Sequence, residues 1–230
     1  EGLKVLARSY GVAELQEHMN DLIDYAEELT RAELISLPDG KWEFEDFLDD
    51  DGFQKEPIRI NVKLIKKDDE LTADFKGTSP QVKGSINLPR SFTCSAVYAC
   101  VRSIMDLSIP NNEGFFRPIK VQTEPGSFVD CTHPAPVAAR GLGGFRVTDC
   151  LWGALARMLP KKVFACGVQG DYGVTVAGYR PNGTPFVSLE FLFSGWGGRP
   201  DNDGIDGISS LAVNYANTPV EVLEVEQPLR

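Results

Sequence analysis

Between Ile58 and Phe75 the chain changes side-chain character at nearly every step. Ile58, Ile60, Val62 and Leu64 alternate with Arg59, Asn61 and Lys63; Lys66-Lys-Asp-Asp-Glu70 interrupts the series, and Leu71, Ala73 and Phe75 resume it. Successive side chains of a strand point to opposite faces, so the pattern predicts a β-hairpin with one buried face and a polar turn at 66–70. Whatever fold the chain adopts must cover that face. Trp42 and Phe44, alternating with Glu43 and Glu45, predict a further half-buried strand.

Helical patterns supply candidates for the cover. Gly2 to Tyr10 reads as a short helix ended by Gly11, and Val12 to Leu37 as a long one stopped by Pro38-Asp-Gly40. In the long helix Val12, Leu15, Met19, Leu22, Ala26 and Leu29 form one apolar stripe among Glu14, Glu17, Asp21, Asp24, Glu27, Glu28 and Arg31. The stripe suits packing on its own domain or a seam with a partner, and fewer than three heptads favours the former. His18 lies off the stripe without a second ligand four residues on, which is a surface pattern. A third helix runs from a Ser91 or Thr93 cap to about Asp106, with Ala96, Val97, Cys100, Val101 and Ile104 as its apolar face. Helices mixed with hairpins, without regular βαβ alternation, predict α+β: mixed or antiparallel sheets with packed helices and one long N-terminal amphipathic helix. Residues 1–38 read as a helical segment and 39–230 as the α+β core.

Composition narrows the partners. A net charge of −10 repels phosphate backbones, so no nucleic acid is expected. Asp49-Asp50-Asp51 lacks spaced ligands and reads as a solvated turn. The odd set Cys94, Cys100, Cys131, Cys150 and Cys166 has no CxxC and lies partly in apolar runs, which points to buried thiols in a reducing compartment. No apolar run reaches membrane-spanning length, so no membrane partner is expected, and the cytoplasm is the expected location. The chain lacks an initiator methionine, opens directly into a helix and closes at Glu226-Gln-Pro-Leu-Arg230, as an excised piece of something longer would.

Chemistry-bearing residues gather in three stretches. Gly77 to Pro89, which includes Asn87, is a polar loop whose hydroxyls and amides either hold a ligand or subunit or satisfy their own turns. Arg140-Gly-Leu-Gly143-Gly144-Phe-Arg146-Val-Thr-Asp149 reads as a glycine-released loop passing into a helix that ends at Leu159, with two arginines and an aspartate at the junction. It is neither a Walker A nor a GxGxxG pattern, and a structural turn with solvated or paired charges fits it too. The third is Ser194-Gly-Trp196-Gly-Gly-Arg199-Pro200 with Asp201, Asp203 and Asp206, either a shaped polar loop or a surface loop. Short strands are expected at Ile119–Thr123, Phe128–Cys131, Val163–Cys166, Val174–Tyr179 and Phe186–Phe193, the last two joined by Pro181-Asn-Gly183, and an edge strand in the second half of Asn214–Glu226. Asn111-Asn-Glu-Gly114 with Phe115 and Phe116 reads as a turn. Cys131 and His133 have no spaced second ligand pair, and although they leave a His/Cys dyad open, no nucleophile elbow supports it.

Five of these motifs, in order, resemble the B-type subunit of the hydantoinase/oxoprolinase family. They are Leu37-Pro-Asp-Gly40 with its acidic run, Asp74-Phe-Lys-Gly77-Thr-Ser-Pro-Gln81 through Asn87, Arg140 to Asp149, Gly195-Trp-Gly-Gly-Arg-Pro200 with Asp203-Gly-Ile-Asp-Gly207, and Asn217-Thr-Pro-Val-Glu221. The resemblance spans the chain and extends to the related subunits of acetone and acetophenone carboxylases. It implies a piece of a subunit about twice this length, working with an A-type partner of actin-like fold that cleaves ATP and phosphorylates the substrate. The B-type part then opens a hydantoin or lactam ring; alternatively it carboxylates a ketone, or serves as an interface module through Val12–Leu29 and Ser194–Gly207. The family's divalent-metal motif, binding zinc or manganese, is expected upstream of Glu1, with no metal held here and the isolated piece inactive. Carried onto this sequence, the resemblance makes Arg146 and Asp149 the catalytic candidates, Asp149 orienting one of the arginines in preference to acting as a base. Arg140, Gly143, Gly144, Asn87, Arg199 and Asp203 become the substrate or interface loop residues, with the three arginines facing phosphate or anionic intermediates.

Overall fold

The computed structural model describes residues 1–167, 172–210 and 220–226. The predicted hairpin is there. Strand β2 (Ile58–Lys67) pairs antiparallel with β3 (Glu70–Asp74), and β1 (Gly40–Leu48) flanks β2 on its other side, also antiparallel. β4 (Ile119–Gln122) joins β3 in parallel and completes a mixed four-stranded sheet. The polar turn is shorter than 66–70. Lys67 pairs with Glu70, so only Asp68 and Asp69 turn, and Asp68 takes φ 53, a conformation aspartate tolerates. The extension carries Lys66 onto the buried face, where its Nζ meets Asp39 Oδ1 at 2.6 Å. A buried ammonium persists only when paired, and the Pro38-Asp39-Gly40 helix stop supplies the pairing carboxylate.

Helices α1 (Gly2–Tyr10) and α2 (Val12–Ser36) meet at Gly11, whose φ of 83 is left-handed. The α2 stripe is buried only towards its C-terminal end. Ala26, Thr30 and Leu34 face the core, whereas Val12, Met19 and Leu22 are exposed, because the sheet and α4 (Glu113–Phe116) reach α2 only from about Ile23 onward. Residues 113–116 are thus a helical turn capped by Asn112, whose side chain accepts from Gly114 N–H at 2.9 Å. The acidic face of α2 is not all solvated, since Arg117 bridges Asp24 and Glu27 and Arg31 bridges Glu27 and Asp69. His18 is exposed, 3.7 Å from both Glu14 and Asp21.

Helices α3 (Arg90–Ile104) and α5 (Arg140–Met158) pack together, and α5 lies across β1 and β2. Pro89 occupies the N-cap of α3, so neither Ser91 nor Thr93 caps it; Thr93 is buried and donates to Val129 O instead. Residues 128–131 are not a strand. Their backbone closes tight turns through single bridges at Ser127, a geometry in which a short β-rich run cannot form a ladder. Asp51 departs from a solvated turn: it is buried and accepts from the N–H groups of Phe53, Gln54 and Gly84, which hold its carboxyl below its ordinary range.

The last third holds β5 (Tyr172–Tyr179) and β6 (Pro185–Leu192), the hairpin turned at Pro181-Asn-Gly183, and the short pair β7 (Gly195–Trp196) and β8 (Ile205–Asp206). Val163–Cys166 is irregular, tied by Ala165 N–H to Gly198 O at 2.8 Å. Val220–Glu226 forms helix α6 and not an edge strand; seven residues with three glutamates satisfy helix propensity as well as a two-residue period. Asn214 to Pro219, and with them most of the Asn217–Glu221 motif, lie outside the described residues.

Candidate functional site

The glycine-rich stretch is not a loop. Arg140 to Asp149 forms the first turns of α5, and its glycines permit contact with neighbouring elements. A Cβ at Gly143 would lie 2.5 Å from Leu88 Cδ1 and 2.6 Å from Ile86 O, and one at Gly144 would lie 2.1 Å from Phe92 Cε1. The helix needs smooth positions to seat against the 77–89 loop and α3, and glycine supplies them despite its low helix propensity.

This seating separates the candidates. Three positions apart, Arg146 and Asp149 share one side of α5. Arg146 Nη1 reaches Asp46 Oδ2 on β1 at 3.1 Å, and the guanidinium and carboxylate are each about one-quarter exposed. Asp149 is mostly buried, and burial pushes its carboxyl up to about 7; Arg146 pulls it down and Asp46 pushes it up, and burial outweighs both. Three buried polar atoms here have no hydrogen-bond partner among the described residues: Arg146 Nε, Asp149 Oδ2 and Trp152 Nε1. Buried polar atoms are almost always satisfied, so three within two turns of one helix single this region out.

A cleft opens there, bounded by Asp149, Trp152, Phe164, Gly167, Gly195, Trp196 and Ser210. Its far wall is the second glycine-rich stretch. Gly167 and Gly195 pass so closely that a Cβ on the former would lie 2.3 Å from Gly195 O, and this brings Trp196 parallel to Phe164 at 4.9 Å between ring centroids. Trp152 also meets Phe164, tilted, at 4.8 Å between ring centroids.

The remaining candidates stand elsewhere. Arg140 is exposed and donates to Val137 O; Arg199 and Asp203 are exposed, and the Arg199 backbone bridges Asn202. Asn87 is fully buried, its amide donating to Val82 O, Gly84 O and Pro136 O and its oxygen accepting from Val82 N–H. Every capacity of that side chain holds the loop together, so Asn87→Ala is expected to cost about 2–4 kcal/mol of stability, at roughly 1 kcal/mol per lost bond plus the stranded carbonyls. Urea unfolding checks this, and a variant as stable as the parent would refute it.

Asp46, Trp152 and Phe164 were not among the candidates. Asp46 lies 100 positions from Arg146, which no local pattern reports. Trp152 follows Asp149 at helical spacing and was legible as a neighbour only once 140–149 is read as helix. A separate groove of about 330 Å³ over β1 and β2 is lined by Glu43, Glu45, Arg59, Asn61 and Arg157, but its polar groups pair with one another: Arg59 with Glu45 at 2.7 Å and Asn61 with Glu43 at 3.2 Å. Among the described residues no three His, Cys, Asp or Glu side chains come together as metal ligands. Nor is any helix among them long and apolar enough to cross a membrane. Of the five thiols Cys100 and Cys150 are buried, Cys94 and Cys131 half-buried and Cys166 exposed, so the buried expectation holds for two.

The profile of the family described as hydantoinase B/oxoprolinase matches residues 1–230. The putative B-type subunit of a D-/L-hydantoinase from Pseudomonas sp. (strain NS671) is 36% identical across 98% of this chain and 40% of its own length. 5-oxoprolinase 1 of Arabidopsis thaliana is 27% identical across 99% of this chain and 18% of its own. Of solved structures, the ATP-dependent caprolactamase from Pseudomonas jessenii superposes with a TM-score of 0.81 at 24% identity, over 98% of this chain and 40% of that one. Nucleotide-free acetone carboxylase gives 0.83 at 13%, over 98% and 33%. At these identities both structures share the fold, and the chain spans two fifths or less of each of these four proteins.

Proposed function

The chain belongs to the hydantoinase B/oxoprolinase family, and from that premise we propose that it is part of the B-type subunit of an ATP-dependent cyclic-amide hydrolase. Its reaction opens a hydantoin or lactam ring after activation by an ATP-binding A-type partner of actin-like fold. Asp149 carries the reading: a carboxyl held near 7, with one oxygen unpartnered among the described residues, at an aromatic cleft. A group that titrates near neutrality both accepts and returns a proton in one cycle. In ring opening water adds to the amide carbon, the C–N bond breaks, and Asp149 takes the proton from water and delivers it to the departing nitrogen. Arg146, fixed by Asp46, holds positive charge beside the carboxyl, where it stabilises the oxyanion of the tetrahedral intermediate. ATP bound by the partner would supply activation by phosphorylating the amide oxygen, and that phosphate would leave when a second water cleaves the acyl phosphate left by ring opening. Among the described residues no side chains gather as ligands for a divalent metal, zinc or manganese, and no step here runs through one.

The full-length B-type protein, assembled with its partner, tests this directly when assayed with hydantoin and 2-pyrrolidinone. Ring opening coupled to ATP cleavage is expected. ATP-dependent carboxylation of acetone without ring opening would overturn the hydrolase reading.

A further inference from the structure

We propose that Trp152 Nε1 and Asp149 Oδ2 form a donor–acceptor pair that reads the edge of a cyclic amide, which makes Trp152 a specificity-determining residue. The inference rests on the hydrolase reading and deepens it. An amide within a small ring is held cis, so its N–H and C=O leave from the same edge; an open-chain amide is trans and presents them on opposite sides. Recognition of the cis edge needs one acceptor and one donor side by side. Asp149 and Trp152 stand one helical turn apart on α5 and both line the cleft. Each offers the required atom without a partner among the described residues, and Trp152 is only 6% exposed, so its indole N–H has no ready recourse to solvent.

The aromatic wall fits the same ligand. Phe164 and Trp196 are parallel within 5° and Trp152 meets Phe164 at an angle, and all three line the cleft beside the polar pair. Trp196 spends its own N–H on Ser209 O at 2.6 Å, so it offers area and not polarity. The cleft measures only about 10 Å³, the space of a single water. A five-membered ring therefore enters when the turn bearing Trp196 moves outward, against the two-residue β7–β8 pair, the Phe164 stack and the Ala165–Gly198 and Trp196–Ser209 hydrogen bonds.

The assembled enzyme, ¹⁵N-labelled at the tryptophan indoles, tests the pair with 2-pyrrolidinone against N-methylacetamide, an open-chain trans amide. The lactam is expected to move the Trp152 indole signal and the trans amide to leave it in place at equal concentration. Trp152→Phe, which keeps the aromatic wall, is expected to lower kcat/KM for ring opening about tenfold; the labelled wild type gives an answer even where that variant folds poorly. Ring opening with an unmoved Trp152 signal at saturating lactam would overturn the pair and leave the hydrolase reading standing. A lactam-dependent shift in an enzyme that carboxylates ketones and opens no ring would overturn the hydrolase reading and leave the pair. Silence in both measurements would overturn both.

Discussion

Alanine at Gly143 is expected to destabilise the protein by roughly 2 kcal/mol or more, while alanine at Gly141, two positions earlier in the same helix, stabilises it by about 0.5–1 kcal/mol. In isolation both substitutions favour α5, because glycine gives up more backbone freedom on folding than alanine. Contacts reverse the sign at one of them. The methyl at Gly143 would meet Leu88 Cδ1 at 2.5 Å, Ile86 O at 2.6 Å and Phe128 Cζ at 2.8 Å, from three sides and including backbone, whereas the methyl at Gly141 meets nothing within 4 Å. A flexible side chain could yield; a carbonyl bound into the 77–89 loop yields only if the loop shifts. For a chain of this size the difference corresponds to melting points about 5–10 °C apart, read by thermal unfolding of the two variants side by side. Equal melting points would mean that α5 does not seat on that loop, and the cleft on its other side would lose its placement with it.

Those two glycines also show where sequence reading reached and where it stopped. The Ile58–Phe75 hairpin was legible because a two-residue period is local, and α1, α2 and the Pro181–Gly183 turn were legible for the same reason. Arg140–Asp149 misled because three glycines within four positions signal a loop by propensity, and the force that overrides propensity here is packing against residues some 50 positions away. Val12, Met19 and Leu22 lie on a proper helical stripe yet remain exposed, since periodicity tells which residues share a face but not how far the rest of the fold extends along it. Lys66 shows the converse: its charge marked a turn, while the strand period placed it inside and Asp39 made that tolerable. Of the cleft, Asp149 and Trp196 stood out as residue types in unusual company, as did Arg146 beside it. Trp152 joins Asp149 through the helical spacing of α5, and Asp46 and Phe164 come near only through tertiary packing.

Asp149→Asn is expected to lower kcat for ring opening by about 10²–10⁴-fold in the assembled enzyme, the usual contribution of a positioned acid–base group. In wild type kcat/KM should bend near pH 7, where the carboxyl titrates, and the bend should vanish in the variant. The same substitution should make the fold more stable, and the sign follows from linkage. Burial raises the Asp149 carboxyl from 3.8 to about 7, so the folded state holds its proton across a range in which the unfolded chain has released it. Its contribution is therefore fully present below about pH 4 and lost as the pH climbs through 7. Asparagine carries no titrating proton, so the two proteins should unfold together near pH 4, diverge between pH 4 and 7, and keep a constant gap above that, with the variant the more stable. Melting points at pH 4, 6 and 8 read this without any substrate or partner. A variant that is less stable at pH 8 would mean that Asp149 is a structural carboxylate held by Arg146, and the proton-transfer role would fall with it. A variant both sturdier and nearly inactive would show a buried charge retained at a cost to the fold, which packing does not require and ring opening does.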